Sequence, residues 1–156
     1  SDGLRLARLL EAQRKWRENP DLLTPNVKAY MLQSEWMRKR HGYRYVSESK
    51  KRIPILRSAY DDALKEVDAL VMPTTPMKAT RLPDSDASPE TITSRAFEPT
   101  TNTSPFNSTH HPALSIPCGT VGGLPVGMML IGRHYDEATL YQIGDLFERR
   151  FDWKDQ

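Results

Sequence analysis

Several groups of side chains in this 156-residue sequence have types and spacings that could do chemistry. Ser47-Glu48-Ser49-Lys50 matches Ser-x-x-Lys, which sets a hydroxyl nucleophile and an amine base one helical turn apart. The partner motifs of the enzymes that use it are absent, and a chain this rich in Ser and Lys produces the match by chance. His41, His110, His111 and His134 could be general bases or metal ligands. Adjacent His110 and His111 point in different directions, and no carboxylate stands at the i, i+4 spacing of a helical zinc motif. Hydrogen-bonded histidines are therefore the expectation, with no metal and no other cofactor. Cys118 could be a nucleophile, yet it lies in an apolar run beside Pro117, the setting of a small buried side chain. The glycines from Gly119 to Gly127 spell neither phosphate-binding loop pattern and suit the turn of a hairpin.

Composition narrows the classes that could use these groups. No apolar run approaches the ~20 residues of a membrane span, and the first residues lack the apolar core of a secretory signal, so a soluble, cytosolic protein is expected. One cysteine excludes an internal disulfide and a Cys-x-x-Cys zinc site. The net charge of +2 is too small to argue for nucleic acid, but it is unevenly spread. Residues 1–66 hold 15 basic and 9 acidic side chains, residues 67–156 hold 7 and 11. Arg38-Lys39-Arg40 and Lys50-Lys51-Arg52 read as solvated helix faces, because no aromatic stacking platform accompanies them. Mass scaling gives a folded surface of roughly 8,000 Å² if the chain packs alone, about 69% of its unfolded surface being buried. The chain does not begin with Met, which fits a trimmed or processed chain or a fragment.

The elements that must position these groups follow from periodicity and punctuation. Leu4, Leu6, Leu9 and Leu10 with the polar run to Arg17 read as an amphipathic helix stopping near Asn19-Pro20. Thr24-Pro25 starts a second helix that runs past Trp36. After Gly42, the stripe Ile53, Leu56, Ala59, Tyr60, Ala63, Leu64 and Val67 marks a half-buried helix, so residues 1–67 are mainly helical. Ala69-Leu70-Val71-Met72 before Pro73 reads as a buried strand, placed at residues 68–73. Residues 74–104 hold twelve Ser or Thr and four Pro with few large apolar side chains, the composition of a long loop. Ala113–Cys118 and Val126–Gly132 predict two strands of an antiparallel hairpin joined by a medium loop, and Asp136 caps a terminal helix with Leu140, Ile143, Leu146 and Phe147 as its buried stripe. The class is α/β, although three strands are few for a sheet of their own. Trp16, Trp36 and Trp153 are expected as core or interface aromatics.

One combination spans the chain. Asp68-Ala-Leu-Val-Met-Pro-Thr-Thr-Pro76, then the Ser/Thr-rich stretch, then Asn102 through Gly119, then Gly123-Leu-Pro-Val-Gly-Met-Met-Leu-Ile-Gly-Arg-His-Tyr-Asp-Glu137 closely resembles the C-terminal part of amidase signature enzymes. The resemblance implies a few strands of a larger mixed sheet flanked by helices. It also implies hydrolysis of carboxamides to carboxylate and ammonia by two serines and a lysine, a neutral lysine drawing the nucleophile's proton through the bridging serine. The family's Gly-Gly-Ser-Ser segment is not here: Gly122-Gly123 is followed by Leu124. The chain is thus expected to be inert without an N-terminal part of the same enzyme, and to have no catalytic residues of its own. By alignment within the resemblance, Thr103 and Phe106 match positions lining the acyl-binding channel, with Thr100 and Asn102 beside them. The expected partners are that N-terminal part and a small-molecule amide, with neither membrane nor nucleic acid, and a homo-oligomer is compatible. Phe106 as core and Thr103 as a helix cap are the plainer readings of the same residues. Two alternatives stand beside the hydrolase: a non-catalytic binding module on the same scaffold, and the amide-releasing subunit of an aminoacyl-tRNA amidotransferase. The second is disfavoured because Val27-Lys28 continues as Ala29-Tyr30 and the position near Thr100 is not acidic.

Overall fold

A computed structural model describes residue 11 and residues 14–153. The expected first helix therefore lies mostly outside the described residues; its last positions, Arg14–Arg17, form a 3-10 turn, followed by another at Pro20–Leu22. Helix α1 (Pro25–His41) starts where Thr24-Pro25 places it, with proline in a turn that needs no N–H donor. The Thr24 hydroxyl bonds the Asn26 side chain rather than a backbone amide. Gly42 ends the helix at φ +59°, its N–H donating to Arg38 O at 2.9 Å.

Helix α2 (Arg44–Glu66) is turned differently from the expected stripe. Its covered positions are Ile53, Arg57, Tyr60, Asp61 and Leu64, whereas Leu56, Ala59, Ala63 and Val67 face outward. Two charged residues thus lie on the packed side, and both find partners there. The basic faces of α1 and α2 are exposed, and Arg38 and Lys51 pair with Glu35 and Glu48 one turn earlier.

The sheet comprises β1 (Leu70–Pro73), β2 (Ala113–Val121) and β3 (Leu124–Ile131) in the order β1-β3-β2, antiparallel throughout. Leu70, Ile131 and Ala113 stand in register, as do Met72, Met129 and Ser115. Period-two alternation sends these to one face and Val71, Leu130 and Leu114 to the other. The connection between β2 and β3 is shorter than the medium loop expected. Gly122 and Gly123 alone make the turn, with φ of +62° and +76°, and Val121 pairs with Leu124. A two-residue hairpin turn with both angles positive accepts Gly-Gly without strain, and this lets both strands extend. A bulge between Pro117 and Gly119 absorbs Cys118, which is only half-buried with its thiol 3.6 Å from Val126 O.

The Ser/Thr-rich stretch is not a continuous loop. Helix α3 (Pro89–Phe97) and a 3-10 turn at Glu98–Thr100 occupy its second half. Ser88 accepts a hydrogen bond from the Thr91 amide at 3.2 Å, and Pro89 fills the first helical position. These signals outweigh a composition that merely lacks large apolar residues. Helix α4 (Ser104–Thr109) follows and ends at His110 in the left-handed conformation. Helix α5 (Glu137–Arg150) closes the chain; Asp136 precedes it but accepts from the Thr139 hydroxyl, not from a backbone amide.

Each sheet face has its own core. Phe106, Met129 and Ile131 pack with Tyr60, Leu70 and Met72 under α2 and α4, while Ile116, Leu130 and Leu140 pack with Leu114, Met128, Ile143 and Phe147 under α5. Helix α5 packs chiefly against β2 and β3, and Val71 on β1 remains 61% exposed, which corrects the fully buried reading of that strand. Trp16 and Trp36 are not core either: both are exposed, each beneath a neighbouring arginine. The chain exposes 12,224 Å², about half again the roughly 8,000 Å² expected of a compact chain of this mass.

Candidate functional site

A cleft of about 310 Å³ opens where α4 meets the sheet face that carries Met129. Thr103, Phe106 and Asn107 form its helical side, Thr74 and Ser115 its floor, and His111 its back. Thr74 follows β1 directly, its N–H donating to Gly127 O at 2.9 Å, and Ser115 lies two strands away on β2. Their hydroxyl oxygens meet at 2.6 Å across β3. That meeting needs glycine between them: a Cβ at Gly127 would stand 2.8 Å from Thr74 Oγ1 and 2.9 Å from Ser115 Oγ.

His111 is held from several sides. Its Nδ1 lies 3.0 Å from Thr109 Oγ1 and its Nε2 3.2 Å from Asp61 Oδ1. Burial holds its pKa below the ordinary histidine value, with the Asp61 hydrogen bond pulling the other way. The left-handed φ of +65° at His110 separates the neighbours, turning His110 to solvent and His111 inward. One turn before Asp61, Arg57 Nε donates to Thr109 O at 3.0 Å, tying the end of α4 to α2.

Of the residues singled out from the sequence, Thr103 and Phe106 line the cleft. Phe106 is also a core residue, only 5% exposed, so the ring that borders the cleft is at the same time packed into the core. Thr103 precedes α4 without making a side-chain cap; its hydroxyl donates to Thr100 O at 3.1 Å. Asn102 and Thr100 are not among the lining residues. Asn102 Nδ2 donates to Pro73 O at 2.9 Å, holding the loop to the end of β1, and the Thr100 hydroxyl donates to Phe97 O at 2.8 Å. Ser47 and Lys50 are exposed on α2 and line no part of this cleft. A larger groove between α1 and α2, about 640 Å³, is lined by Tyr30, Met37, Tyr43, Val46 and Ile53 together with Ser34, Ser49 and Lys50, none of which also lines the cleft.

Sequence reasoning missed Thr74, Ser115, Gly127 and Asp61. Two of them left a signal. Asp61 and Arg57 fall one turn apart on the same side of the helix as Ile53, Tyr60 and Leu64, and Ser115 interrupts an otherwise apolar strand. The cleft can accept and donate hydrogen bonds beside an aromatic face, but no lysine lines it.

The Amidase family pattern matches residues 7–141. The chain belongs to the amidase family. An uncharacterized protein in the nthA 5′ region of Rhodococcus erythropolis is 40% identical over 132 residues, covering 85% of this chain and 66% of that protein. The enantioselective amidase of Rhodococcus rhodochrous is 36% identical over 136 residues, covering 86% of this chain and 26% of that enzyme. The crystal structure of an amidase superposes with a TM-score of 0.67 at 25% identity, over 90% of this chain and 32% of that one. This amidase-family chain thus spans 66% and 26% of the length of these two curated relatives.

Proposed function

We propose that this chain forms the wall of the substrate channel in an amidase that converts carboxamides to carboxylate and ammonia. It acts as the C-terminal part and is inert until joined to an N-terminal part carrying the family's two serines and lysine. The observation that supports this reading is the cleft itself. Thr103 gives its proton to Thr100 O, leaving its oxygen lone pairs to accept an amide N–H. In the Thr74–Ser115 pair one hydroxyl proton is used between them, and the other remains to donate to a carbonyl oxygen. Phe106 adds an apolar face, so a carboxamide with an apolar acyl group finds both of its polar ends matched. Thr100 and Asn102 contribute by holding the loop that presents Thr103. No described helix is long and apolar enough to cross a membrane.

The isolated chain is expected to release no ammonia from benzamide and to take up no fluorophosphonate label. Turnover, or labelling at Ser47, would overturn the inertness. In the enzyme completed by an N-terminal part, Thr103→Val should change the selectivity between small and aromatic amides by about tenfold, the scale of one lost pocket contact. An unchanged selectivity profile would reject the pocket assignment.

A further inference from the structure

Behind the cleft, donor atoms from separate parts of the chain converge. Asp61 comes from the middle of α2, His111 from the link between α4 and β2, and His134 from the link between β3 and α5. One ligand atom from each lies within 4.8 Å of the others. Asp61 Oδ1 is 3.2 Å from His111 Nε2 and 3.9 Å from His134 Nε2. The imidazole rings lie 4.2 Å apart, centre to centre. His134 Nε2 is buried and has no hydrogen-bond partner, and a buried nitrogen in that condition costs free energy that a ligand would recover.

We propose that Asp61, His111 and His134 bind a zinc-class divalent cation. The donor set is two imidazole nitrogens and one carboxylate oxygen, which suits zinc or cobalt rather than calcium or magnesium. Zinc bonds to such ligands at about 2.0–2.2 Å, which puts tetrahedral donors about 3.3 Å apart. The His111–Asp61 separation of 3.2 Å is close to that value, and His134, whose Nε2 is 3.9 Å from Asp61 Oδ1, has to move toward both Asp61 and His111, since the three donor atoms now lie within 4.8 Å of one another. Thr109 makes the change of tautomer at His111 possible. With no cation, Nε2–H of His111 donates to Asp61 while Nδ1 accepts from the Thr109 hydroxyl. With a cation bound, Nε2 supplies its lone pair, the proton resides on Nδ1, and the same hydroxyl rotates to accept it. Neutral His111 therefore shifts between tautomers and neither gains nor loses a proton. The carboxylate is 44% exposed, so cation and water reach the site from the Asp61 side. The Arg57 guanidinium one turn away opposes a second positive charge, which favours exchangeable binding over a permanent structural ion.

The test is zinc titration of the chelator-treated 156-residue chain by calorimetry, with cobalt absorption as the spectroscopic readout. One equivalent should bind, and cobalt should show the visible bands of a tetrahedral nitrogen–oxygen site. Asp61→Asn keeps the shape and an acceptor for His111, so it should fold, and it should weaken binding at least about tenfold. His134→Ala should do the same, whereas exposed His110→Asn, which tolerates the left-handed backbone, should bind as the parent does. No saturable binding up to about 1 mM zinc, a free energy near −4 kcal/mol, would overturn the proposal. So would an affinity indifferent to both Asp61→Asn and His134→Ala.

Discussion

A Cβ added at Gly127 would meet Thr74 Oγ1 at 2.8 Å, Ser115 Oγ at 2.9 Å and Thr74 Cβ at 3.3 Å. Threonine and serine side chains are short, and Thr74 is anchored by its backbone bond to Gly127 itself, so the neighbours cannot simply swing away. Gly127→Ala should therefore destabilise the chain by about 1–3 kcal/mol, the cost of overpacking, and should part the hydroxyl pair. Urea denaturation measures the first effect, and an undiminished midpoint would contradict it. Phe106 belongs to the core and to the cleft border together. Its ring packs with Met129, Ile131 and Tyr60 on one side and borders the cleft on another, so truncating it removes core and pocket together. Thr103, which borders the cleft without belonging to the core, is the cleaner probe.

At the scale of elements, α3 illustrates what local signals accomplish. Ser88 caps it, and Glu90 in the first turn has its carboxyl held below the usual range, first by its own backbone N–H and then by the Ser88 hydroxyl. The folded pKa is lower than the unfolded one. The carboxylate's contribution to the helix is therefore fully present above the unfolded pKa and is lost as pH falls through the folded value. Cα chemical shifts of residues 89–97 should drift toward coil values on acidification, and Glu90→Gln should remove that acid dependence. Ser88→Ala should weaken α3 by about 1 kcal/mol at neutral pH. Shifts that ignore both changes would show that packing against α1, where Tyr30 stacks on Phe97 at 6.4 Å, holds the helix instead.

The whole molecule has a thin core for its length. Among the described residues fully buried apolar side chains are few, Leu64, Leu130 and Ile131 among them, and the described sheet ends at two edges, β1 and β2. Open edges and uncovered apolar residues such as Val71, Ile55 and Leu32 invite association. The isolated chain should thus melt broadly and bind a hydrophobic dye, and joining the proposed N-terminal part should sharpen and raise the transition. A cooperative, monomeric melt of the chain alone would argue that the sheet is complete as it stands.

Local chemistry was legible along the chain: Thr24-Pro25 and Gly42 bound α1, the apolar segments on either side of Gly122-Gly123 become β2 and β3, and the order of motifs carries the family resemblance. Such features depend on residues near one another in sequence, which backbone sterics and capping hydrogen bonds decide by themselves. The rotation of α2, the helix inside residues 89–97, the hydroxyl bridge over Gly127 and the meeting of Asp61 with His111 and His134 were not legible. Except for α3, where Ser88-Pro89 was an overlooked local cue, each depends on which faces of distant elements touch. Residues 61 and 111 are 50 positions apart, and only the packing of α2 and α4 onto one sheet face brings a carboxylate to a buried imidazole.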